Sequence, residues 1–367
     1  MPSLDTVTRL ITRKNAIDQS RVEHERRSLI PAAGDVILKI DRCALSTNNV
    51  TYAAYGDSMH YWEFFPTGQA DWGHIPVWGF ADVLASTVEG ITVGERFYGY
   101  FPLASHLWVH PERVTERGFY DAAPHRQTLN SVYNQYTRCS WDRYYSPANE
   151  NLQMLLNPLF LTSLMLADFL QNNQLFGATR VVFSSASSKT AFGTAICLED
   201  QSNLERVALT SAENKGYVEH LGCYERTLGY AELASLPADR PTLYVDFSGR
   251  LDLRDQVHQH FAEQLVYSCA VGSTQSMDEA QLSAITGPQP AFFFAPIQIR
   301  KRNADWGAQR LVEYIGEGGQ KFHRRVTAPA NPLLRVVESD GLEAAQTVIS
   351  RLSHGQIAPI EGHVIRL

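Results

Sequence analysis

Residues 180–191 read Arg180-Val-Val-Phe-Ser-Ser-Ala-Ser-Ser-Lys-Thr-Ala191, a short apolar run leading into a serine-rich turn and a helix-compatible segment. An apolar run of this length, bounded by turn residues, fits a strand buried on both faces. Similar runs recur at Arg206-Val-Ala-Leu-Thr210, Thr242-Leu-Tyr-Val-Asp246 and Leu265-Val-Tyr-Ser268, with helix-compatible segments between them. Strands alternating with helices predict a parallel sheet built by right-handed crossovers. The second half of the chain is therefore expected to be of the α/β class.

The residues before this segment read differently. Asp35-Val-Ile-Leu-Lys-Ile-Asp41, Pro76 to Ser86, and His106-Leu-Trp-Val-His-Pro-Glu-Arg-Val114 are strand-like, and Gly90, Gly94 and Gly99 punctuate them. A small β-barrel with few helices is expected there. From 115 to 156 the chain turns aromatic and polar, with Tyr120, Tyr133, Tyr136, Trp141, Tyr144 and Tyr145. A helix-like stretch runs from Leu155 to Leu170, and the tail supplies a helix over Gly341–Ser353 and a strand around His363–Leu367. There are no internal repeats.

A chain of 367 residues is long for one core, so two domains are expected. With 44% apolar and 19% charged residues the composition is that of a globular protein. The net charge of −7, from 32 basic and 39 acidic residues, argues against general nucleic-acid binding. No run of about 18 apolar residues is read, so no membrane span is expected. Asp5, Arg9, Arg13, Lys14 and Asp18 leave no apolar core for a secretory signal, so a cytoplasmic protein is expected. The five cysteines, Cys43, Cys139, Cys197, Cys223 and Cys269, are scattered, and none forms a C-x-x-C pair. They read as reduced thiols rather than a disulfide framework or zinc knot.

A parallel sheet binds ligands at the carboxyl ends of its strands. In a dinucleotide fold the first strand–helix turn holds the pyrophosphate at a helix N-terminus. Here that turn has no glycine until Gly193. Its four serines and Lys189 read equally as an anion seat or as a serine-rich cap with a solvated lysine. The second strand ends Leu209-Thr210-Ser211, with Lys215 following and Glu213 between. An acid at that position would hold ribose hydroxyls, whereas Ser and Lys suit a 2′-phosphate. Ser211 as an ordinary helix cap is the competing reading.

With these residues in hand, the chain resembles the medium-chain dehydrogenase/reductase superfamily, especially its zinc-free quinone-oxidoreductase branch. Gly90-Ile-Thr-Val-Gly-Glu-Arg-Phe-Tyr-Gly99 is similar to the G-V-T-x-x-x-G-D-R-V-x-G turn of the GroES-like domain. Val182–Ala191 lies over the V-x-G-A-S-G-G-V-G loop, with Ser185, Ser188, Lys189 and Ala191 where glycines are expected. Ser211-Ala-Glu-Asn-Lys215 with Leu221-Gly222 resembles the NADP-reading segment, and Gly341–Ser353 with Gly362-His-Val-Ile-Arg-Leu367 resembles the closing helix and strand. The resemblance covers nearly the whole chain except 115–150. Thr47-Asn-Asn-Val-Thr-Tyr52, Tyr133-Asn-Gln-Tyr136, Ser184–Thr190 and Asp305-Trp-Gly307 are similar to a bacterial branch described as a domain of unknown function.

The resemblance implies a GroES-like β-barrel catalytic domain at 1–155, with an aromatic insertion at about 115–150. It implies a Rossmann-type doubly wound parallel sheet at 156–300 and a return to the catalytic domain at 301–367. NADPH is the implied cofactor. Its expected contacts are Ser185, Ser187, Ser188, Lys189 and Thr190 in the first turn, Ser211 and Lys215 after the second strand, and Ser248, Gly272 and Phe294 after later strands. The Phe292-Phe-Phe294 run also reads as a core strand. Catalytic zinc in the superfamily uses a Cys and a Gly-His-Glu turn. The turn falls at Val77-Trp78-Gly79, so no metal is expected, and His74, His106 and Cys43 have the wrong spacing.

Hydride transfer to an enone or quinone builds negative charge on oxygen, which Tyr or Asn donors can hold. Tyr52 is the expected proton donor, Asn48 or Asn49 the orienting amide, and Tyr55 lies beside them; the same residues also read as a turn over packed tyrosines. Tyr133, Tyr136 and Trp306 are expected at the substrate, with Arg300, Lys301, Arg302 and Asp305 in a charged loop next to Trp306. Tyr133 and Tyr136 serve equally as a subunit contact. The resemblance makes a homodimer the default. Three functions follow: an NADPH-dependent reductase of a carbonyl or carbonyl-conjugated small molecule, a non-redox enzyme on the same fold, or a catalytically silent nucleotide-binding protein.

Overall fold

A computed structural model describes residues 4–271, 285–328 and 330–367. The chain divides into two compact units: Met1–Leu156 with Arg335–Leu367, and Asn157–Leu334. Each is described by itself.

Among the described residues the second unit is built on a six-stranded sheet. In chain order its strands are Arg180–Phe183, Glu205–Thr210, Arg226–Gly229, Thr242–Asp246, Leu265–Val271 and Ala291–Phe293. In space they lie third, second, first, fourth, fifth, sixth, and every neighbouring pair is parallel. The expected doubly wound sheet is therefore present, with its switch point between the first and fourth strands. Those two strands are buried at every residue, as a sheet covered on both faces requires. Arg226–Gly229, which the sequence reading missed, is a partly exposed edge strand. In the last strand only Phe293 is buried, and Phe292 is exposed.

Helices Lys189–Cys197, Lys215–Leu221 and Leu251–Phe261 connect the strands. A Cβ at Gly193 would lie 2.6 Å from Ser163 Oγ, so glycine lets Lys189–Cys197 lie against helix Glu150–Asn172. Ser163 Oγ donates to the Thr190 carbonyl at 2.9 Å across that contact. Phe322, from helix Ala308–Val326, stacks on Phe160 of the long helix at 4.8 Å. This packing keeps residues 301–334 in the second unit, so the return expected at 301 comes at Arg335 instead. The charged loop expected at 300–306 is a helix, Ala295–Trp306. Arg302 is buried on it, with Nε 2.7 Å from Asp168 Oδ2 and an Nη 2.9 Å from Asn172 Oδ1. It is a fastener between helices.

The stretch Pro147–Asn172 is long and apolar enough to cross a membrane, which the sequence reading did not anticipate; 61% of its apolar window is buried inside the protein, as in a core helix. Pro158 stands inside helix Glu150–Asn172.

In the first unit Val36–Leu45 pairs with Val77–Ser86, which pairs with Arg96–Phe101. On its other side Val36–Leu45 pairs with Glu361–Arg366, which runs beside Arg335–Asp340. Residues expected as an insertion belong to this sheet: Gln135–Arg138 pairs with Arg96–Phe101 and with Gly118–Asp121. A Cβ at Gly99 would lie 2.5 Å from the Tyr136 ring, so Tyr136 occupies the space that a side chain there would take. Helix Gly341–Ser353 buries Leu342, Ala345, Val348, Ile349 and Leu352, one face at helical spacing, in the same core as Val36 and Leu38. Arg96 joins Asp41, Asp82 and Glu150, fixing the start of the long helix to the sheet.

His74 is buried, and Nδ1 meets the Leu10 carbonyl at 3.0 Å. Burial, then the Arg9 guanidinium, pushes its imidazole down to about 4. An unfolded histidine titrates near 6.5, so between these values the unfolded chain binds a proton that the folded chain refuses. Stability is expected to fall as pH drops from 6.5 to 4, by up to about 3 kcal/mol from this group. His74→Asn, which keeps a donor, should flatten the pH dependence of the urea midpoint over that range. An unchanged slope would refute the assignment.

Candidate functional site

Ser184 follows the first strand and is fully buried. Its Oγ donates to Asp246 Oδ1 at 2.8 Å and accepts from the Phe247 and Ser248 amides at 3.0 and 3.2 Å. Asp246 ends the fourth strand, so this bond closes the switch point. The other carboxylate oxygen accepts two Arg254 N–H groups, at 3.0 and 2.7 Å. Ser248 adds its amide and hydroxyl to Oδ1, at 3.0 and 2.8 Å. Burial would raise the Asp246 carboxyl, but Arg254 and the hydroxyl donors outweigh it and hold it below its ordinary value. The Ser248 side chain thus serves the strand end, and neither Asp246 nor Arg254 was singled out from the sequence.

Ser185 sits at φ +48°, in the left-handed region that favours glycine. It is one of the positions where the resemblance expects glycine. The Tyr230 hydroxyl bonds to both its backbone and its side chain. Ser188 caps helix Lys189–Cys197, its Oγ accepting from the Ala191 amide at 3.2 Å. Ser187 Oγ is 3.4 Å from Asn214 Nδ2. Lys189 and Thr190 are half-buried in the first helical turn, where backbone amides lack intrahelical partners.

Ser211 stands at the end of the second strand, ahead of the 3₁₀ turn Ala212–Asn214. Lys215 Nζ lies 2.7 Å from Glu232 Oε2, which also accepts the Gly229 amide at 2.7 Å. Glu232 raises the Lys215 ammonium, and Lys215, then the Gly229 amide, lowers the Glu232 carboxyl. The acid facing Lys215 is thus Glu232 and not Glu213. Its signal lay in the sequence, where Glu232 stands three residues after Gly229 in a capping arrangement.

In the first unit helix Thr47–Ala54 carries Asn48, Asn49 and Tyr52. Asn49 Oδ1 accepts the Ser46 amide at 2.8 Å, and Nδ2 donates to the Pro76 carbonyl at 2.9 Å. Asn49 is buried and bound to backbone on both sides, which corrects its expected role as an orienting amide. Tyr52 enters a cluster with Tyr61, Phe64, Phe65 and Tyr100, against which Tyr55, Trp78 and Tyr133 pack. Trp78 Nε1 donates to the Tyr52 hydroxyl at 3.2 Å, and Asn48 and Tyr133 bond to the same group. The Tyr61 and Tyr133 hydroxyls are 3.2 Å apart. Burial first, then neighbouring phenols, pushes Tyr52 and Tyr133 up, so both are neutral donors rather than bases near neutral pH.

Tyr133 is held from behind. Arg126 donates to the Tyr133 carbonyl at 2.7 Å, to Asp121 Oδ2 at 2.6 Å and to Asn134 Oδ1 at 3.0 Å. It also donates to the Tyr136 hydroxyl at 3.0 Å, and that hydroxyl donates to the Tyr100 carbonyl at 2.8 Å. Tyr136 is fully buried and satisfied, so its expected place at a substrate is corrected to a core position.

Trp306 belongs to the second unit, where it packs edge-on against Tyr314 at 5.2 Å and under Arg302 at 4.5 Å. Phe294 precedes helix Ala295–Trp306 and is half-buried. Gly272 lies outside the described residues. Among the described residues no three His, Cys, Asp or Glu side chains gather in a metal-binding group. Burial pushes the Cys43 thiol up to about 12.

Two outcomes test this geometry. Ser185→Gly relieves the left-handed strain and should raise stability by about 1 kcal/mol, less what the Tyr230 side-chain bond contributed. A lower melting temperature would oppose that reading. Arg254→Met leaves Asp246 buried and unpaired and should cost about 3–5 kcal/mol in denaturant unfolding, against little for the exposed Arg240→Met. Equal costs would show that Asp246 is compensated elsewhere.

Solved structures share this fold across nearly the whole chain. CurA from Vibrio vulnificus in complex with NADPH is 13% identical, with a TM-score of 0.61 and 98% of each chain covered. The yhdH oxidoreductase from Salmonella enterica in complex with NADP is 14% identical, with a TM-score of 0.57, over 98% of this chain and 99% of that one. The quinone oxidoreductase from Coxiella burnetii is 12% identical, with a TM-score of 0.56, over 99% of this chain and all of the other. The fold is that of the medium-chain dehydrogenase/reductase enzymes, a GroES-like unit and a Rossmann-type unit. No curated protein matches the sequence. Residues 43–358 match the family described as Protein of unknown function (DUF2855), and the chain belongs to that family.

Proposed function

We propose that the protein is a zinc-independent, NADPH-dependent oxidoreductase that transfers hydride to a carbonyl-conjugated (enone or quinone) or carbonyl small molecule. The observation that carries this reading is the switch point itself. A turn and helix N-terminus open there, at Ser185–Thr190, and Ser211 and Lys215 stand where an acid would select NADH. Structures of this fold are known with NADPH and with NADP, which supports a nicotinamide cofactor.

The residues present fit the group. Ser185 already adopts the conformation that glycine supplies elsewhere, so the turn can bring its backbone close to a pyrophosphate. Ser187, Lys189 and Thr190 would hold the pyrophosphate, and Ser211 and Lys215 the 2′-phosphate, with Lys215 exchanging Glu232 for it. Ser248 follows the fourth strand and Phe294 the sixth, at the carboxyl ends of the same parallel sheet, and Gly272 keeps its sequence-based assignment. NADPH supplies the hydride when bound. In the first unit, neutral Tyr52 donates to the acceptor oxygen as charge builds there, and Asn48 and Trp78 fix its hydroxyl.

A second reading, a catalytically silent nucleotide-binding protein, is favoured by the glycine-free turn and by the Lys215–Glu232 pair, which lowers the positive charge offered to a phosphate. Calorimetry with NADPH and NADH comes first. NADPH should bind more tightly, Lys215→Ala should lose about tenfold for NADPH alone, and Glu232→Gln should tighten NADPH. Binding of neither nucleotide would sink the reductase. With binding established, NADPH oxidation is followed with quinones, enones and aldehydes, and Tyr52→Phe should lower kcat about 100-fold. Silence across that panel would favour the second reading.

A further inference from the structure

The phenols of the first unit contain one group that the proposed reaction does not use. Tyr100 is fully buried, yet its hydroxyl has no hydrogen-bond partner among the described residues. Its neighbours are satisfied in a chain, with Trp78 donating to Tyr52, Tyr52 bonded to Tyr133, and Tyr133 to Tyr61. The Tyr100 ring centroid is 4.7 Å from that of Tyr133, 5.2 Å from Trp78 and 5.6 Å from Tyr52. Its ring therefore packs in the same cluster, and Tyr52, Tyr133 and Tyr61 act electrostatically on its phenol.

A buried hydroxyl without a partner costs stability, and phenylalanine would fill the same space without that cost. A molecule that hydrogen-bonds to it would remove that cost. The surroundings define that molecule. The walls are aromatic, with Trp78 and Tyr98 stacked at 5.4 Å and partly exposed, so they suit a flat ring. The nearby cation, Arg126, is already committed to Asp121, Asn134, Tyr136 and the Tyr133 carbonyl, so a carboxylate gains no counter-ion.

We infer that Tyr100, with Tyr52, Tyr61 and Tyr133, forms a binding site for an uncharged ring oxygen, that of a phenol or of a quinone. The inference rests on the reductase reading only in identifying this ligand with the hydride acceptor. The site itself belongs wholly to the first unit.

The test uses the full chain without nicotinamide. 4-Nitrophenol is titrated below its own pKa and followed by its absorbance and by calorimetry, with nitrobenzene as the ring lacking the hydroxyl. Wild type should bind nitrophenol at submillimolar concentration. Tyr100→Phe should bind it about tenfold more weakly, hold nitrobenzene equally, and melt no lower than wild type. Tyr61→Phe, at the far end of the hydroxyl chain, should also weaken nitrophenol. No binding to wild type, undiminished binding to Tyr100→Phe, or a melting temperature several degrees lower in Tyr100→Phe would overturn the site. Nitrophenol binding without NADPH binding leaves this site standing and removes the reductase reading. NADPH binding without nitrophenol binding does the reverse.

Discussion

The buried carboxylate of Asp246 is the constraint on which the second unit depends. A charge in a sheet interior is tolerated only when it is paired and its remaining lone pairs are filled. Arg254 supplies the pair, and Ser184, Ser248 and Gly249 fill the other oxygen. These donors come from the end of the first strand, the turn after the fourth and the helix that follows. Satisfying one carboxylate thus fixes three elements where a doubly wound sheet offers its crevice. Ser184 faces this network, so the cofactor contacts proposed for the turn fall to Ser185 and the residues after it.

The first unit solves a similar problem with aromatic rings. Arg126 and Asp121 form a buried pair, and Arg126 divides its donors among a carboxylate, an amide, a phenol and a backbone carbonyl. The segment bearing Tyr133 is thereby fixed against Tyr52 and Tyr61. A phenol so placed stays neutral across the physiological range, and this is the state in which it can donate to a developing oxyanion.

Strands buried on both faces were legible in the sequence because burial leaves its mark on every residue. Arg180–Phe183 and Thr242–Asp246 were read to the residue, as was helix Gly341–Ser353. Arg226–Gly229 was not, since a four-residue edge strand carries half that pattern. The Arg300-Lys-Arg302 run looked solvated, but Arg302 meets Asp168, 134 positions away, and no local pattern reports a partner at that distance. At the candidate site, Ser185 was singled out with the other turn serines and Tyr52 through resemblance to a family. Asp246, Arg254, Arg126 and Glu232 were missed because lone charged residues read as surface until the fold gives them partners.

Pro158 has a consequence for the long helix. A proline inside a helix offers no N–H to the carbonyl four residues earlier, here that of Met154. Asn157 and Pro158 are also the residue types that begin helices, asparagine as a cap and proline in the first turn. The second unit begins at Asn157. The long helix therefore carries a start signal in its own interior, at the residue where one unit gives way to the other. One backbone hydrogen bond is missing from the ladder there, so the helix bends at Pro158 at less cost than elsewhere along its length.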